Sequence, residues 1–166
     1  MTSATAVRYL STEETVFTTR LERVKDYQFR VRFDLPTTPD IVTDEPQPLG
    51  GSIGPNPSRL LSAAVANCLS SSLLFCLSKA RVSVKDLKTS VETVHRRNEK
   101  GRWRIAALRV KVRPKVDAQD ASGVKRCLEL FQDFCIVTES VRKGIQVDVD
   151  VEFNSPEAIG QQSKSA

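Results

Sequence analysis

The sequence predicts an α+β fold, in which antiparallel strand pairs are separated by two helical regions. Segments that alternate apolar and polar residues, typical of half-buried strands, occur at 27–35 (YQFRVRFDL) and at 145–153 (IQVDVDVEF). A long apolar segment at 57–79 lies between them and has the length of a helix. The predicted strands follow one another in pairs and do not alternate with helices, which favours α+β over a doubly wound sheet.

Six segments have the alternation or the composition of strands: 15–23, 27–35, 40–46, 87–96, 104–112 and 145–153. The first two form a pair, and the short third one leads into a loop rich in Pro and Gly (PQPLGGSIGPNP, 46–57). Residues 87–96 and 104–112 form a second pair, joined by a turn at 99–101. The last segment places five apolar side chains on its inward face: Ile145, Val147, Val149, Val151 and Phe153.

The helical regions are a long helix at 57–79, a second helix at 120–135 and a short helical segment at 137–144. Asn56 is a suitable N-cap for the long helix, and Pro57 occupies its first position, where a missing N–H costs nothing. Apolar residues lie on nearly every face of this helix. It is therefore predicted to be a central helix covered by other structure.

The composition is that of a globular protein, with 40% hydrophobic and 27% charged residues in a chain of 166. This length predicts one domain, which we expect at 15–153, with an N-terminal tail at 1–14 and a flexible C-terminal tail at 154–166. The net charge of +5 is spread along the predicted strands. A solvated basic surface is therefore favoured over a nucleic-acid interface.

The segment between Arg59 and Lys79 has no ionisable charge and approaches the length of a membrane span. However, polar residues (NCLSSS) occupy its centre, and the two flanking cations show no one-sided bias. The first residues, MTSATAVRYLSTEE, lack the apolar core of a secretory signal. We therefore expect a cytoplasmic protein without membrane contact, in which thiols are kept reduced.

The four cysteines fall into two groups with eight-residue spacing, Cys68 with Cys76 and Cys127 with Cys135. Eight residues of helix rise about 12 Å, too far for two ligands of one zinc ion, so no metal or other cofactor is expected. Cys76 and Cys127 are interpreted as small core residues. Cys68 lies beside Asn67 on a locally polar face, and Cys135 lies at a helix junction, where N–H groups stabilise a thiolate. The pattern alone leaves open whether Cys68 and Cys135 meet.

The segment DEPQPLGGSIGPNPSRLLSAAVANCLSSSLLFCL, followed by a cysteine 67 residues after Cys68 in LFQDFCIV, resembles the OsmC/Ohr family of osmotically inducible and organic-hydroperoxide-resistance proteins. The most specific parts are GPNP before the helix, AAVANC within it and the spacing of the second cysteine. The resemblance covers residues 16–153. It implies an intertwined homodimer, in which two antiparallel sheet regions surround long central helices and the thiol sites lie at the subunit interface.

The resemblance also implies a thiol-dependent peroxidase. By it, Cys68 is the peroxidatic cysteine, which attacks the O–O bond of an organic hydroperoxide and becomes a sulfenic acid. Cys135 is the resolving cysteine, which condenses with the sulfenic acid to a disulfide. A dithiol reductant, either a lipoyl protein or a thioredoxin-like protein, then restores both thiols.

One position departs from the family pattern. Family enzymes place a glutamate ten residues before the peroxidatic cysteine, where it holds an arginine against the sulfur, and this chain has Ser58 there. Cys68 lies about 16 Å from the start of its helix, beyond the reach of the helix dipole, so a cation must activate it. Four arginines are candidates: Arg20, Arg30, Arg32 and Arg59. Asp44 and Glu45 are candidate replacements for the glutamate, and His95, the only histidine, has no partner that the sequence identifies.

Two functions therefore stay open. The first is a thiol peroxidase for organic hydroperoxides. The second is a protein with the same fold that binds an apolar small molecule or senses thiol oxidation at the dimer interface. A fold does not fix a function, and Ser58 is the feature that separates the two hypotheses.

Overall fold

A computed structural model of the chain describes residues 15–117 and 121–152. They form an α+β fold with two antiparallel sheets, in agreement with the sequence prediction. The elements in chain order are β1 (Thr19–Lys25), β2 (Gln28–Phe33), β3 (Ile41–Thr43), α1 (Pro57–Lys79), β4 (Val84–Arg97), β5 (Trp103–Val116), α2 (Ala121–Leu130), a 3-10 helix (Phe131–Phe134) and α3 (Ile136–Lys143). The predicted tails lie outside the described residues, and the predicted domain limits stay a prediction.

The first sheet has the strand order β1-β2-β3, with both pairs antiparallel. Every residue of β1 is exposed, and the sheet makes no extensive contact with the helices or with the second sheet of the same chain. Several large apolar side chains of this region face solvent: Phe17, Leu21, Val24, Tyr27 and Leu35. Within one chain, this sheet therefore lacks the cover that its apolar residues require.

Helix α1 begins and ends where the sequence predicts. The side chain of Asn56 accepts a hydrogen bond from the backbone N–H of Arg59 at 3.1 Å, and Pro57 is at the start of the helix. One face is buried, through residues at intervals of three and four: Ser62, Val65, Leu69, Ser72, Leu73 and Leu77. The opposite face is exposed, so the prediction of a helix covered on all sides is not met within one chain.

The buried face of α1 packs against the hairpin of β4 and β5 and against α2, the 3-10 helix and α3. In the described part of the chain, α1 alone has the length and apolar composition of a membrane span, a property that the central helix of a water-soluble protein shares. The hairpin is longer than predicted because its antiparallel pairing continues from Val84 opposite Val116 to Arg97 opposite Trp103. Pro114 is tolerated in β5 because the other edge of this strand is unpaired.

The second helical region is divided into two elements. The predicted helix at 120–135 ends as an α-helix at Leu130 and continues as the 3-10 helix. Gly123 permits close packing of α2, since a Cβ atom there would lie 2.9 Å from Cγ2 of Val82. Helix α3 ends at Gly144, whose φ of 78° suits glycine. These elements carry Cys127 and Cys135 onto the buried side of α1.

The predicted C-terminal strand at 145–153 is wrong for the single chain. Residues 144–152 have no regular secondary structure, and Phe153 lies outside the described residues. The apolar side chains of the segment are exposed, with Val147 at 77% and Val149 at 79%. Alternation alone does not make a strand, because the backbone also needs a neighbouring strand to accept its hydrogen bonds. No described strand of the same chain supplies that edge.

Candidate functional site

The fold brings Cys68 and Cys135 together. Cys68 lies in the middle of α1, and Cys135 lies at the junction between the 3-10 helix and α3. Both are free thiols, Cys135 lies in the buried core cluster and Cys68 packs against that cluster, so that each thiol affects the pKa of the other. Cys135 is completely buried, whereas Cys68 is half-buried. A molecule approaching from solvent therefore reaches Cys68 first.

Hydrogen bonds favour the thiolate of Cys135. Burial raises the pKa of this thiol, but hydrogen bonds from Cys68, from the hydroxyl and backbone N–H of Thr138 and from Ser72 outweigh it and lower the pKa below the ordinary value. Cys135 Sγ lies 3.0 Å from Thr138 Oγ1. Cys135 is also the N-cap residue of α3, and although its side chain forms no capping hydrogen bond, the backbone N–H of Thr138 in the first turn of that helix helps to lower its pKa.

The pKa of Cys68 is shifted in the opposite direction. Burial raises it, and the hydrogen bond and the charge of Cys135 raise it further, against smaller lowering effects of the backbone N–H groups of Val137 and Thr138. Within one chain, the first proton that the pair loses therefore leaves Cys135. This order is the reverse of what an attacking Cys68 requires, so Cys68 needs a further positive charge if it is the peroxidatic residue.

None of the four candidate arginines neighbours Cys68 within one chain, and none contributes to the pKa shift of its thiol. Three of them lie on the first sheet: Arg20, Arg30 and Arg32. Arg32 is 3.3 Å from the carboxylate of Asp40, and Arg30 approaches the same carboxylate at 4.0 Å. Arg59 lies in the first turn of α1, about 14 Å along the helix from Cys68.

The candidate carboxylates belong to the loop before α1. Asp44 is only 2% exposed and accepts hydrogen bonds from the backbone N–H groups of Glu45 and Gly51 at 2.8 Å and of Ile53 at 3.2 Å. Its carboxylate therefore organises the loop and is already occupied. The neighbouring Glu45 is half-buried and forms no ion pair with any described residue.

Ser58, at the position of the family glutamate, contacts His95, for which the sequence identified no partner. His95 Nε2 lies 3.1 Å from Ser58 Oγ. This contact ends a row of polar pairs between α1 and β4: Ser58 with His95, Ser62 with Thr93 (3.0 Å) and Ser70 with Thr89 (2.6 Å). The sequence signal was the spacing of these residues, by four or eight in the helix and by even numbers in the strand. Ser58 is about 15 Å along the helix from Cys68 and does not contact it.

Asn67 lies next to Cys68 in the sequence but on the exposed face of α1. Its Oδ1 accepts a hydrogen bond from Ser71 Oγ at 3.5 Å, one turn further along the same helix. An exposed amide in this position does not orient the sulfur of Cys68 within one chain.

Cys76 and Cys127 lie at the core, as expected, but they form a disulfide, so the expectation that they are free thiols is wrong. Their Cα atoms are 5.6 Å apart, within the ordinary range, and 51 residues separate them in the chain. The pairing depends on how α2 packs against α1, which the eight-residue spacing along each helical region does not reveal. In the described part of the chain, no cluster of three or more His, Cys, Asp or Glu side chains is arranged to hold a metal ion.

A cavity of about 540 Å³ lies between α1, β5 and α3, and neither free cysteine lines it, but Leu69, next to Cys68 in the chain, and Thr138 do. Its walls are mostly aliphatic, from Val65 and Leu69 of α1 and the outer half of β5. Thr138 is the hydrogen-bond partner of Cys135, and Arg142, whose guanidinium donates hydrogen bonds to Glu139 and Gln132, also lines the cavity. An apolar molecule of moderate size fits this space.

Comparison with known proteins agrees with this architecture. A family model described as OsmC-like protein matches residues 50–150. No curated protein matches the sequence. Among solved structures, an OsmC-like protein of unknown function from Vibrio cholerae has a TM-score of 0.66 and 13% identity, over 76% of this chain and 94% of that chain. An organic hydroperoxide resistance protein from Elizabethkingia anophelis has a TM-score of 0.57 and 17% identity, over 80% and 94%. At these identities the structures establish the shared fold.

Proposed function

Because this chain belongs to the OsmC-like protein family, we propose that it is a thiol-dependent peroxidase that reduces organic hydroperoxides through Cys68 and Cys135. The observation that carries the proposal is that these two free thiols, 67 residues apart in the sequence, meet at one core cluster and shift each other's pKa. Two thiols brought to one place in this way are candidates for a redox pair. One solved structure of this fold is an organic hydroperoxide resistance protein, which supports an organic hydroperoxide as the substrate.

The reaction proceeds in three steps. The thiolate of Cys68 attacks one oxygen of the O–O bond, which breaks to give a sulfenic acid and, after protonation, the alcohol. The thiol of Cys135 attacks the sulfenic sulfur, and the hydroxyl leaves as water, so that a disulfide forms. A dithiol then reduces the disulfide by two exchange steps, supplying two electrons and two protons.

The assignment of roles follows from accessibility. Cys68 is half-buried and accessible to the incoming peroxide, whereas Cys135 is buried. The low pKa of Cys135 suits the second step, because a thiolate attacks the sulfenic acid of Cys68 faster than a thiol does. The apolar cavity between α1, β5 and α3 would hold the alkyl part of the hydroperoxide.

The active form is proposed to be a homodimer, because one chain leaves three apolar surfaces uncovered. They are the first sheet, the segment at 144–152 and the exposed, uncharged face of α1, where Leu74 and Phe75 lie among small and polar residues. Large exposed apolar areas are uncommon in monomers, and an unpaired amphipathic strand needs a partner edge. A second copy of the chain supplies matching surfaces for all three.

The dimer also provides the missing positive charge. Within one chain, the arginines of the first sheet do not reach Cys68. Position 58, where the family glutamate would hold an arginine, is also too far along α1 to contact the sulfur. A second copy that covers the exposed face of α1 would bring an arginine of its own first sheet to Cys68. That cation would lower the pKa of Cys68 from the raised value that burial produces in one chain. The reductant is proposed to be a lipoyl or thioredoxin-like dithiol in the cytoplasm.

A second function is supported by the raised pKa of Cys68 and by the cavity. If dimerisation brings no cation to Cys68, its thiol stays protonated at neutral pH. The protein would then bind an apolar small molecule, or respond to oxidation, without turning over peroxide.

Peroxide turnover by the purified protein decides between the two functions. Cumene hydroperoxide is supplied with dihydrolipoamide, and its loss is followed with the unsubstituted protein, Cys68→Ser and the control Cys76→Ser/Cys127→Ser. The proposal expects turnover in the first and third proteins and none with Cys68→Ser. Loss of peroxide at the same rate with and without protein would contradict the peroxidase function.

A further inference from the structure

The Cys76–Cys127 disulfide lies outside the proposed peroxidase site and is open to solvent on one side. Cys127 is 1% exposed, and its sulfur is covered by the core between α1 and α2. Cys76 is half-buried and lies eight residues beyond Cys68, about 12 Å further along α1. At that separation the two cysteine pairs cannot exchange disulfides directly. A reagent from solvent can reach this disulfide only at Cys76.

The two disulfide-bonded residues border a groove of about 360 Å³ between the end of α1 and α2. Its walls are apolar and partly exposed, and they are formed by Phe75, Ala80, Leu130 and Phe134. Two cations, Lys79 and Arg126, complete the lining, and no carboxylate takes part in it. Neither cation forms an ion pair with any described residue. The groove is thus complementary to a molecule that combines an apolar chain with negative charge.

We propose that this groove is a second thiol–disulfide exchange site, which takes an anionic dithiol with an apolar chain and is reduced by it at Cys76–Cys127. The apolar walls receive the chain, and the two cations attract both the carboxylate and the attacking thiolate. The site does not depend on the proposed peroxidase function, because it uses neither Cys68 nor Cys135.

The exchange balances without a further reactant. The thiolate of the dithiol attacks Sγ of Cys76, the disulfide bond breaks, and the electron pair leaves on Sγ of Cys127, which takes up a proton. The mixed disulfide now joins Cys76 Sγ to one sulfur of the reagent. The reagent's second thiolate attacks that reagent sulfur and releases Cys76 as a thiolate, which is protonated. Two electrons and two protons have moved from the dithiol to the protein, and the dithiol has become a cyclic disulfide.

The test uses a Cys68→Ser/Cys135→Ser variant, which retains only the second pair, so the outcome does not depend on peroxidase activity. The oxidised protein is mixed at low salt with dihydrolipoate or with its uncharged amide, dihydrolipoamide. Free thiols are alkylated at intervals, and Cys76 and Cys127 are quantified by peptide mass spectrometry. We expect reduction by both reagents, about 5- to 10-fold faster with dihydrolipoate, and a smaller difference at high salt.

Variants that remove the two cations of the groove test whether the anionic dithiol binds there. Adding Lys79→Gln/Arg126→Gln to the test protein should abolish the preference for dihydrolipoate and leave the rate with dihydrolipoamide nearly unchanged. The matched control, Lys111→Gln/Arg113→Gln, removes two exposed cations of β5 outside the groove and should keep the preference. Equal rates with the two reagents, a preference that survives the loss of Lys79 and Arg126, or reduction only under denaturing conditions would each overturn the proposal.

Discussion

Ser58 Oγ lies 3.1 Å from His95 Nε2, at the position where the family pattern has a glutamate. The residue that departs from the family is thus paired with the only histidine of the chain, on a strand that crosses the first turn of α1. The pair is about 15 Å along α1 from Cys68 of the same chain. Position 58 is therefore too far along α1 to contact this sulfur, and in the proposed dimer its influence would act across the subunit interface.

Replacement of Ser58 by glutamate tests that influence. We expect Ser58→Glu to keep or raise kcat/KM for cumene hydroperoxide, because a carboxylate at this position can hold an arginine at the sulfur of the other subunit. Ser58→Ala is the matched control, since it removes the contact with His95 without adding charge. A large loss of activity in Ser58→Glu, with the dimer intact, would show that the serine itself is required.

The disulfide contributes to stability. A cross-link between residues 51 apart in the sequence restricts the unfolded chain, which corresponds to about 4 kcal/mol in the chain-entropy model. We expect Cys76→Ser/Cys127→Ser to lower the free energy of unfolding by about 2 to 4 kcal/mol. Guanidinium titration measures it, with Cys68→Ser as the control that leaves the disulfide in place. Identical unfolding midpoints for the double variant and the unsubstituted protein would refute the expectation.

Thr138 is one of the residues that lower the pKa of Cys135. Its hydroxyl and backbone N–H both help to lower the pKa of Cys135. Thr138→Val removes the hydroxyl at nearly constant volume and should raise that pKa. Because the lowered pKa favours the folded state only where the thiolate exists, this stabilisation is present above the ordinary cysteine pKa and is lost as the pH falls through the lowered one. Thr138→Val should reduce it over that range.

The pKa change is measured by thiolate absorbance at 240 nm, in a Cys76→Ser/Cys127→Ser background where the site pair supplies the only thiols. The first deprotonation should move to higher pH in Thr138→Val. Ser140→Ala, on the same helix but absent from the contacts of Cys135, is the control and should leave the titration unchanged. An unshifted titration in Thr138→Val would show that the Thr138 hydroxyl does not lower the pKa of Cys135.

Substitutions in the segment at 144–152 test the proposed dimer. We expect light scattering to give about twice the chain mass of 18.4 kDa. Val147→Ser/Val149→Ser should weaken the dimer, because these side chains form the apolar face of the segment and are exposed in one chain. Gln146→Ser/Asp148→Ser alters the opposite face and should not. A monomer at micromolar concentration in the unsubstituted protein would contradict the proposed assembly.

Local signals in the sequence located the long helix, because Asn56 and Pro57 determine where α1 starts through contacts within a few residues. The same reasoning failed for residues 145–152, where an alternating pattern found no partner edge in the same chain. The pairing of Cys76 with Cys127 was also missed. It depends on which faces of α1 and α2 meet, and that is decided by packing between segments 51 residues apart.

The meeting of Cys68 and Cys135 came from the family resemblance, since the residue pattern alone left it open. The contact of His95 with Ser58 was visible only as matching spacings in α1 and β4, a weak signal until the crossing of the two elements is known. The cation proposed to activate Cys68 would come from a second copy of the chain, so patterns within one chain do not identify it. Sequence patterns report local geometry well and report contacts between distant segments only where a family pattern adds them.

Peptide mapping after a single oxidation tests the central claim most directly. The fully reduced Cys76→Ser/Cys127→Ser protein, in which Cys68 and Cys135 are the only thiols, is treated with one equivalent of cumene hydroperoxide, and the linked peptides are identified by mass spectrometry. The account predicts a disulfide between Cys68 and Cys135 within one chain, a sulfenic acid on Cys68 when Cys135 is replaced by serine, and no cumyl alcohol from Cys68→Ser. An unoxidised Cys68, or a peroxide-induced disulfide that excludes it, would contradict the account.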